Sequence, residues 1–277
     1  MIITGNQHSR IFKNSKTNEM KTITLGFIGG GRITKIFLQV IKNNKSEYKA
    51  IVVYDTNPVV LSQLKEQFPG ILPAGSLSEA AKQDMVFIAL HPPVIMETLE
   101  LVKDQVKPGS VVISLAPKIT IAKIASKLVH VPNIVRMIPN ATSFINEGYN
   151  PVCFSDEMSD LKKQSLLRIL RKMGRTFEVS ESKLESYAIL SAMLPTYFWF
   201  QWKELVDVGC RIGLTKEESE NAVRDTTLAA VRTYFYSGLQ PDDVMDLIPS
   251  KPIGEHETQI RDIYEDRLLP LFEKIKP

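Results

Sequence analysis

A chain of 277 residues, 44% hydrophobic and 23% charged, has the composition of one or two ordinary globular domains. Its net charge is +3, and Arg10, Lys13 and Lys16 against Glu19 place +2 of that in residues 1–20, so the nearly neutral body offers little to nucleic acid or an anionic membrane. Cys153 and Cys210 form no CxxC pair, and His8, His91, His130 and His256 show no metal-ligand spacing, which argues against a disulfide scaffold and a metal site and suits two buried or partly buried free thiols in a reducing, cytoplasmic setting.

Residues 1–20 lack the apolar core of a secretory signal and read as a flexible polar tail. From there, short β-branched runs alternate with amphipathic ones. Strands are expected at 22–28, 49–55, 84–90, 110–116 and 133–139, with helices at 33–44, 58–68, 93–106 and 120–129 between them. A strand at 151–155, a helix at 160–174 and a strand at 176–180 complete this half. Strands that are continuously apolar and separated by helices imply a doubly wound parallel sheet, an α/β Rossmann-like domain over 21–182, with its ligand at the C-terminal strand ends.

After residue 182 the strands stop. Residues 183–277 read as an all-helical domain: a long helix or helix pair at 184–213, a helix at 215–238 opened by the Thr215/Glu218 capping-box pattern, a short one at 240–248 and a last one at 256–275. Its apolar faces exceed what a thin domain can cover, so they are expected to pack against the first domain or against a second copy, with a homodimer as the smallest unit expected once the resemblance described below is added. The aromatic cluster Tyr197, Phe198, Trp199, Phe200 and Trp202 is expected in that core and interface.

The chemistry begins at "LGFIGGGRITK", residues 25–35. Gly29 and Gly31 supply the GxG of a dinucleotide fingerprint: the first permits a tight turn, the second lets a pyrophosphate approach the backbone, and the helix N-terminus offers its free N–H groups. The third glycine position holds Thr34. Asp55, ending the second strand, is placed for a ribose 2′-hydroxyl, or alternatively to cap the next helix; Arg32 would favour a phosphorylated ribose, which leaves NADH and NADPH both open.

Around this loop the chain resembles the pyrroline-5-carboxylate reductases over about residues 21–265. "GFIGGGRI" is similar to that family's GFIGxGNM, "FIALHPPVI" (87–95) to FxAVKPxx, "VVISLAPKITI" (111–121) to VVSxxAGxxx, and "IVRMIPNATSFINEG" (134–148) to RxMPNxPxxxxxG. The segment 189–219 resembles the dimerisation segment at Ser191, Pro195, Tyr197, Phe200, Glu204, Asp207 and Gly213. The resemblance implies hydride transfer from NAD(P)H to a C=N bond, in a helical domain that intertwines with a partner chain. It implies a cofactor lined by Ile28, Gly29, Gly30, Gly31, Arg32, Ile33, Asp55, Ser76, Ala89, Leu90, His91 and Pro92, with Ala116 and Asn140 near the nicotinamide and Ser191 and Ser250 toward the substrate.

The substrate end departs from the family. Its SPGGTT loop reads "PSKPIGEHE" at 249–257: Pro252 and Ile253 replace the glycine pair, and the threonine position falls on Glu255 or His256. A small cyclic imine carboxylate then meets fewer free backbone N–H groups and a negative side chain, whereas a cationic or larger imine suits Glu255. Tyr197, Glu255 and His256 are the candidate proton donors, with a solvated helix start as the plain role for the last two. Two alternatives remain: a different NAD(P)-dependent dehydrogenase on the same scaffold, and a non-catalytic dinucleotide-binding protein. Against a β-hydroxyacid dehydrogenase, Lys203 is present but the asparagines that should follow it are not.

Overall fold

The computed structural model describes residues 22–277, so the expected tail at 1–20 lies outside the described residues. The described residues fall into two compact units, one ending at Ala192 and taking back Ile275–Pro277, the other Met193–Lys274.

The first unit is built on an eight-stranded sheet in the order β3-β2-β1-β4-β5-β6-β7-β8. β1 (Thr24–Ile28), β2 (Ala50–Tyr54), β4 (Met85–Ile88), β5 (Val111–Ser114) and β6 (Ile134–Met137) are apolar runs, each followed by a helix or helical turn. The helices are α1 (Arg32–Asn43), α2 (Pro58–Gln67), α3 (Leu77–Ala81), α4 (Pro92–Val102), α5 (Ile121–Ala125) and α6 (Asp160–Leu170). β3 (Leu72–Pro73) and α3 escape the sequence pattern because the strand is two residues long and exposed, with nothing to bury.

The sheet separates two apolar clusters. One contains Phe27, Phe37 and Phe87, with the Phe27 and Phe87 rings stacked at 4.7 Å; the other contains Ile88, Ile95, Leu99 and Val112. Burying both faces is what lets the strands dispense with alternation.

One part of the parallel expectation needs correction. β7 (Gly148–Phe154) begins earlier than 151 and runs antiparallel to β6, and β8 (Gly174–Glu178) runs parallel to β7. The connection from β6 to β7 is one short 3₁₀ segment, Ala141–Ile145, and a link this short cannot make a right-handed parallel crossover. Gly148 and Gly174 face one another so closely that a Cβ on Gly174, whose φ is +124°, would come within 2.3 Å of the Gly148 backbone nitrogen and oxygen.

The sequence divides the chain at 182/183, whereas the compact unit runs on to Ala192. α7 (Leu184–Tyr187) and the wide π-type turn Ala188–Ala192 belong with the sheet because Leu184 and Ala188 pack against Ile138 and Cys153.

The second unit contains α8 (Leu194–Arg211), α9 (Lys216–Tyr236), α10 (Pro241–Asp246) and most of α11 (Glu257–Ile275). The capping box forms: Thr215 Oγ1 accepts the Glu218 N–H at 3.2 Å, and Glu218 Oε2 accepts the Thr215 N–H at 2.8 Å. α8 and α9 touch at Gly209, where a Cβ would lie 2.5 Å from Ser219 Oγ. Cys210 is exposed rather than buried, although its Sγ lies 3.8 Å from Ser219 Oγ on α9.

Candidate active site

The sheet order reverses between β1 and β4, and the crevice beyond the C-terminal ends of these strands is where doubly wound folds place their ligands. The chain leaves β1 through Ile28 into Gly29, which has φ +104° and lies against β4's exit: a Cβ there would come 2.4 Å from the Ala89 carbonyl oxygen and 3.2 Å from Leu90. Only glycine fits.

Gly31 is exposed, and a Cβ on it would meet nothing within 4 Å. It is the N-cap of α1, with no side chain capping the helix and no acidic residue in its first turn. The N–H groups at Arg32 and Ile33 therefore open a twelve-residue helix toward free space, an arrangement suited to a phosphate.

Thr34, at the third glycine position, is fully buried, and its hydroxyl donates to the Gly29 carbonyl at 2.5 Å. The departure from glycine thus adds a bond that holds the turn. Asp55, expected to face a ribose, is bonded to its own loop. Its Oδ2 accepts the Gly30 N–H at 2.7 Å and its Oδ1 the Asn57 N–H at 2.8 Å. The cap of α2 is Asn57, which accepts the Val59 N–H at 3.0 Å, so the alternative capping role of Asp55 is not the one observed.

The other expected cofactor residues distribute around this crevice. Ala89 and Leu90 line the exit of β4; His91 is the exposed N-cap of α4, with no side-chain capping bond, and Pro92 is its first residue. Ser76 lies past β3 at the start of α3, its hydroxyl 3.1 Å from Glu79 Oε1. Ala116 is buried just past the end of β5. Asn140, buried past the end of β6, is fully engaged: Nδ2 donates to the Ser191 carbonyl at 2.7 Å and Oδ1 accepts the Thr142 N–H at 2.8 Å. The Ser191 hydroxyl bonds back to the Tyr187 carbonyl at 2.7 Å. The Asn140 side chain thus ties the π-type turn to the end of β6, while the Ser191 hydroxyl bonds within its own segment.

Tyr197, Ser250, Glu255 and His256 lie in the second unit. Tyr197 on α8 sits with its ring 6.1 Å from that of Tyr264, and burial, with the neighbouring phenol, raises its pKa. Ser250 is exposed. Glu255 and His256 share the 3₁₀ turn Gly254–His256, with side chains 81% and 58% exposed and 3.5 Å apart. The Gly254 and His256 N–H groups are occupied by the Lys251 and Ile253 carbonyls at 2.9 and 3.0 Å. Within this unit the aromatic run is not core: Trp199 and Phe200 are exposed, since their side of α8 meets no other helix of the unit.

Sequence reasoning missed one cluster. Arg136, mid-strand in β6, is completely buried. Its Nη1 reaches Glu181 Oε1 at 2.9 Å and its Nη2 makes a very close contact with Glu185 Oε1. An arginine within the apolar run "IVRMI", and two glutamates spaced i,i+4 at 181 and 185, were the available signals.

Comparison with known proteins shows what the chain resembles. A family model described as NADP oxidoreductase, coenzyme F420-dependent, matches residues 24–118. The pyrroline-5-carboxylate reductase of Escherichia coli (strain K12) is 24% identical over 228 residues, spanning 82% of this chain and 84% of that protein. Among solved structures, a pyrroline-5-carboxylate reductase from Coxiella burnetii is 27% identical with a TM-score of 0.66, covering 92% of this chain and 94% of that one. Along most of its length, then, the chain is similar to pyrroline-5-carboxylate reductases. A Plasmodium falciparum pyrroline carboxylate reductase, determined with NADP bound, shares the fold at a TM-score of 0.72 and 21% identity, over 92% and 95% of the two chains. A likeness covering 92% of this chain is longer than the first unit and so reaches into the second.

Proposed function

We propose that this chain is an NAD(P)H-dependent oxidoreductase that reduces the C=N bond of a cyclic imino acid of the pyrroline-5-carboxylate type. The observation that carries the reading is the cradle at the switch point: an open Gly31, a Gly29 that no other residue can replace, and an uncapped helix start. These features fit a dinucleotide pyrophosphate. Gly31, Arg32 and Ile33 would hold it, and Asp55 would face the adenosine ribose from the end of β2, with Ser76 beside it. Ala89, His91 and Pro92 would flank the middle of the nucleotide, and Ala116 and Asn140 its nicotinamide end.

A bound nicotinamide supplies the hydride. The protein contributes placement and exclusion of water, which together account for much of such catalysis. It also needs a proton donor for the imine nitrogen. Tyr197, whose raised pKa keeps its proton at neutral pH, can donate; Glu255 and His256 are the exposed alternatives. Ser191 and Ser250 are the residues proposed to meet the substrate.

The exposed apolar residues of the helical unit, Phe200 and Phe235 among them, support a homodimer. Sedimentation should give twice the 31.2 kDa chain mass; a species at the chain mass would reject the dimer. Free Cys153 and Cys210 suit a cytoplasmic setting, and no helix among the described residues is long and apolar enough to cross a membrane.

The deciding experiment is anaerobic turnover of pyrroline-5-carboxylate with NADH and with NADPH. Turnover supports the reading, and the preferred nucleotide reports whether Asp55 or Arg32 governs the ribose. Absence of turnover with nucleotide binding intact, seen as tryptophan energy transfer, moves the reading to another reductase on this scaffold. One observation favours that second reading. The occupied Gly254 and His256 N–H groups leave little with which to grip a small carboxylate, and Glu255 would pair with a larger, cationic imine.

A further inference from the structure

We infer that Arg136, Glu181 and Glu185 form a positioning clamp that sets the nicotinamide end of the crevice. The inference rests on the dinucleotide reading above.

The clamp is more than an ion pair. Glu185 Oε1, besides meeting Arg136, accepts the Lys118 N–H at 2.9 Å; Glu181 Oε1, besides meeting Arg136, accepts the Ile121 N–H at 2.7 Å. The first amide lies in the loop after Ala116, where Lys118 adopts φ +76°, uncommon for a residue with a side chain, and the second opens α5, which that loop leads into. Both carboxylates belong to the segment that leads from β8 into the π-type turn. Three pieces of backbone, the β6 strand, the loop after β5 and the segment 181–192, are therefore fastened to one guanidinium. Asn140 Nδ2 on the Ser191 carbonyl adds a fourth tie nearby. Of the residues expected near the nicotinamide, Ala116 sits on the loop after β5 and Asn140 follows β6 by three residues; Ser191, expected toward the substrate, sits on the segment 181–192.

The burial is what makes the arrangement informative. Arg136 is 0% exposed and the Glu185 side chain 1%, while Arg136 Nε and Glu185 Oε2 have no hydrogen-bond partner. For stability alone, apolar side chains of similar volume serve as well or better. What a guanidinium offers is a planar fork that fixes direction. Ser114, the neighbour of Arg136 in register on β5, also has an unpartnered buried hydroxyl, so this part of the sheet maintains polarity at a cost.

The test uses the full chain and Glu181, whose side chain is 32% exposed, so its loss leaves the Arg136–Glu185 pair intact and the fold standing. Glu181→Ala is expected to lower kcat about tenfold while leaving KM for the imine within about twofold. It should also weaken NADPH binding about fivefold and ADP-ribose binding, which lacks the nicotinamide, by less than twofold. Glu181→Gln keeps an oxygen for the Ile121 N–H and should recover most of both losses. A folded Glu181→Ala protein with unchanged kcat and an unchanged ratio of NADPH to ADP-ribose affinity would overturn the clamp and leave it a structural ion pair. Failure of the wild-type chain to turn over pyrroline-5-carboxylate overturns the reductase reading instead, and the affinity ratio then still decides the clamp.

Discussion

The Asp55 carboxylate receives the Gly30 amide at 2.7 Å, joining the end of the second strand to the glycine loop before any nucleotide is considered. The residue proposed to face a ribose is therefore part of the loop's own construction. Asp55→Ala would leave the buried Gly30 N–H without its acceptor, a loss of about 1–3 kcal/mol. Asp55→Asn keeps an acceptor oxygen and should recover part of that stability. Both variants remove the charge that opposes a phosphorylated ribose, so both should shift preference toward NADPH by about tenfold. Thermal melts and titrations with the two nucleotides measure the effects separately.

The turn at Gly29 should be the least forgiving position in the crevice. Gly29→Ala places a Cβ 2.4 Å from the Ala89 carbonyl at φ +104°, and a destabilisation of about 2–4 kcal/mol with loss of nucleotide binding is expected. Thr34→Val is the milder companion. It removes the hydroxyl that donates to the Gly29 carbonyl, at about 1 kcal/mol, and should loosen binding without abolishing it. Equilibrium denaturation of both variants orders them.

In the helical unit, Gly209→Ala drives a Cβ to 2.5 Å from Ser219 Oγ, and Ser219 is buried on the facing helix. A loss of about 1–3 kcal/mol is expected from overpacking. The pair Gly209→Ala with Ser219→Gly should recover much of it, because the crowding is mutual. A double-mutant cycle showing plain additivity would count against a contact between these positions.

Acid stability should carry a signature from Asp84. Burial raises its pKa, but the Thr24 backbone and side-chain hydrogen bonds, with the Lys107 ammonium, outweigh it and hold the carboxyl below its ordinary 3.8. A depressed folded-state pKa means that the stabilisation is complete above the unfolded value and is lost as pH falls through the folded one. Melting temperature should therefore drop more steeply below pH 3.8 in the wild type than in Asp84→Asn, while at neutral pH the variant is the less stable of the two. Equal slopes in that acid window would show that Asp84 contributes nothing there.

The sheet was legible in the sequence wherever a strand is a buried apolar run: Thr24–Ile28, Met85–Ile88 and Val111–Ser114 all lie inside the expected strands. Leu72–Pro73 was not, because periodicity needs more than two residues and a buried face. The direction of β7 was not legible either, since an apolar strand has the same composition whichever way it runs, and only the short link before it carried the clue. The glycine loop could be placed from spacing alone. The bonds made by Asp55 and Thr34 could not, because they depend on which backbone groups the turn brings to them. Arg136 was hidden for a similar reason: its two partners lie far along the chain, at 181 and 185, and meet it only after β7 and β8 have formed.

That dependence gives the Gly148–Gly174 pair an importance out of proportion to its size. The two glycines meet backbone to backbone, and β8 can align with β7 at this depth only where neither residue has a side chain. Strand pairing has a period of two, so a slip of a single residue would turn every β8 side chain to the opposite face and displace everything downstream. Glu181 follows β8 by three positions and Glu185 by seven, counting from Glu178. Their meeting with Arg136 is thus measured out along a strand, as on a ruler whose zero mark is a pair of missing side chains. An insertion at the exposed Asp156–Glu157 turn, which lies between the two glycines, should leave the crevice undisturbed, whereas one residue inserted between Gly174 and Glu181 should unseat it.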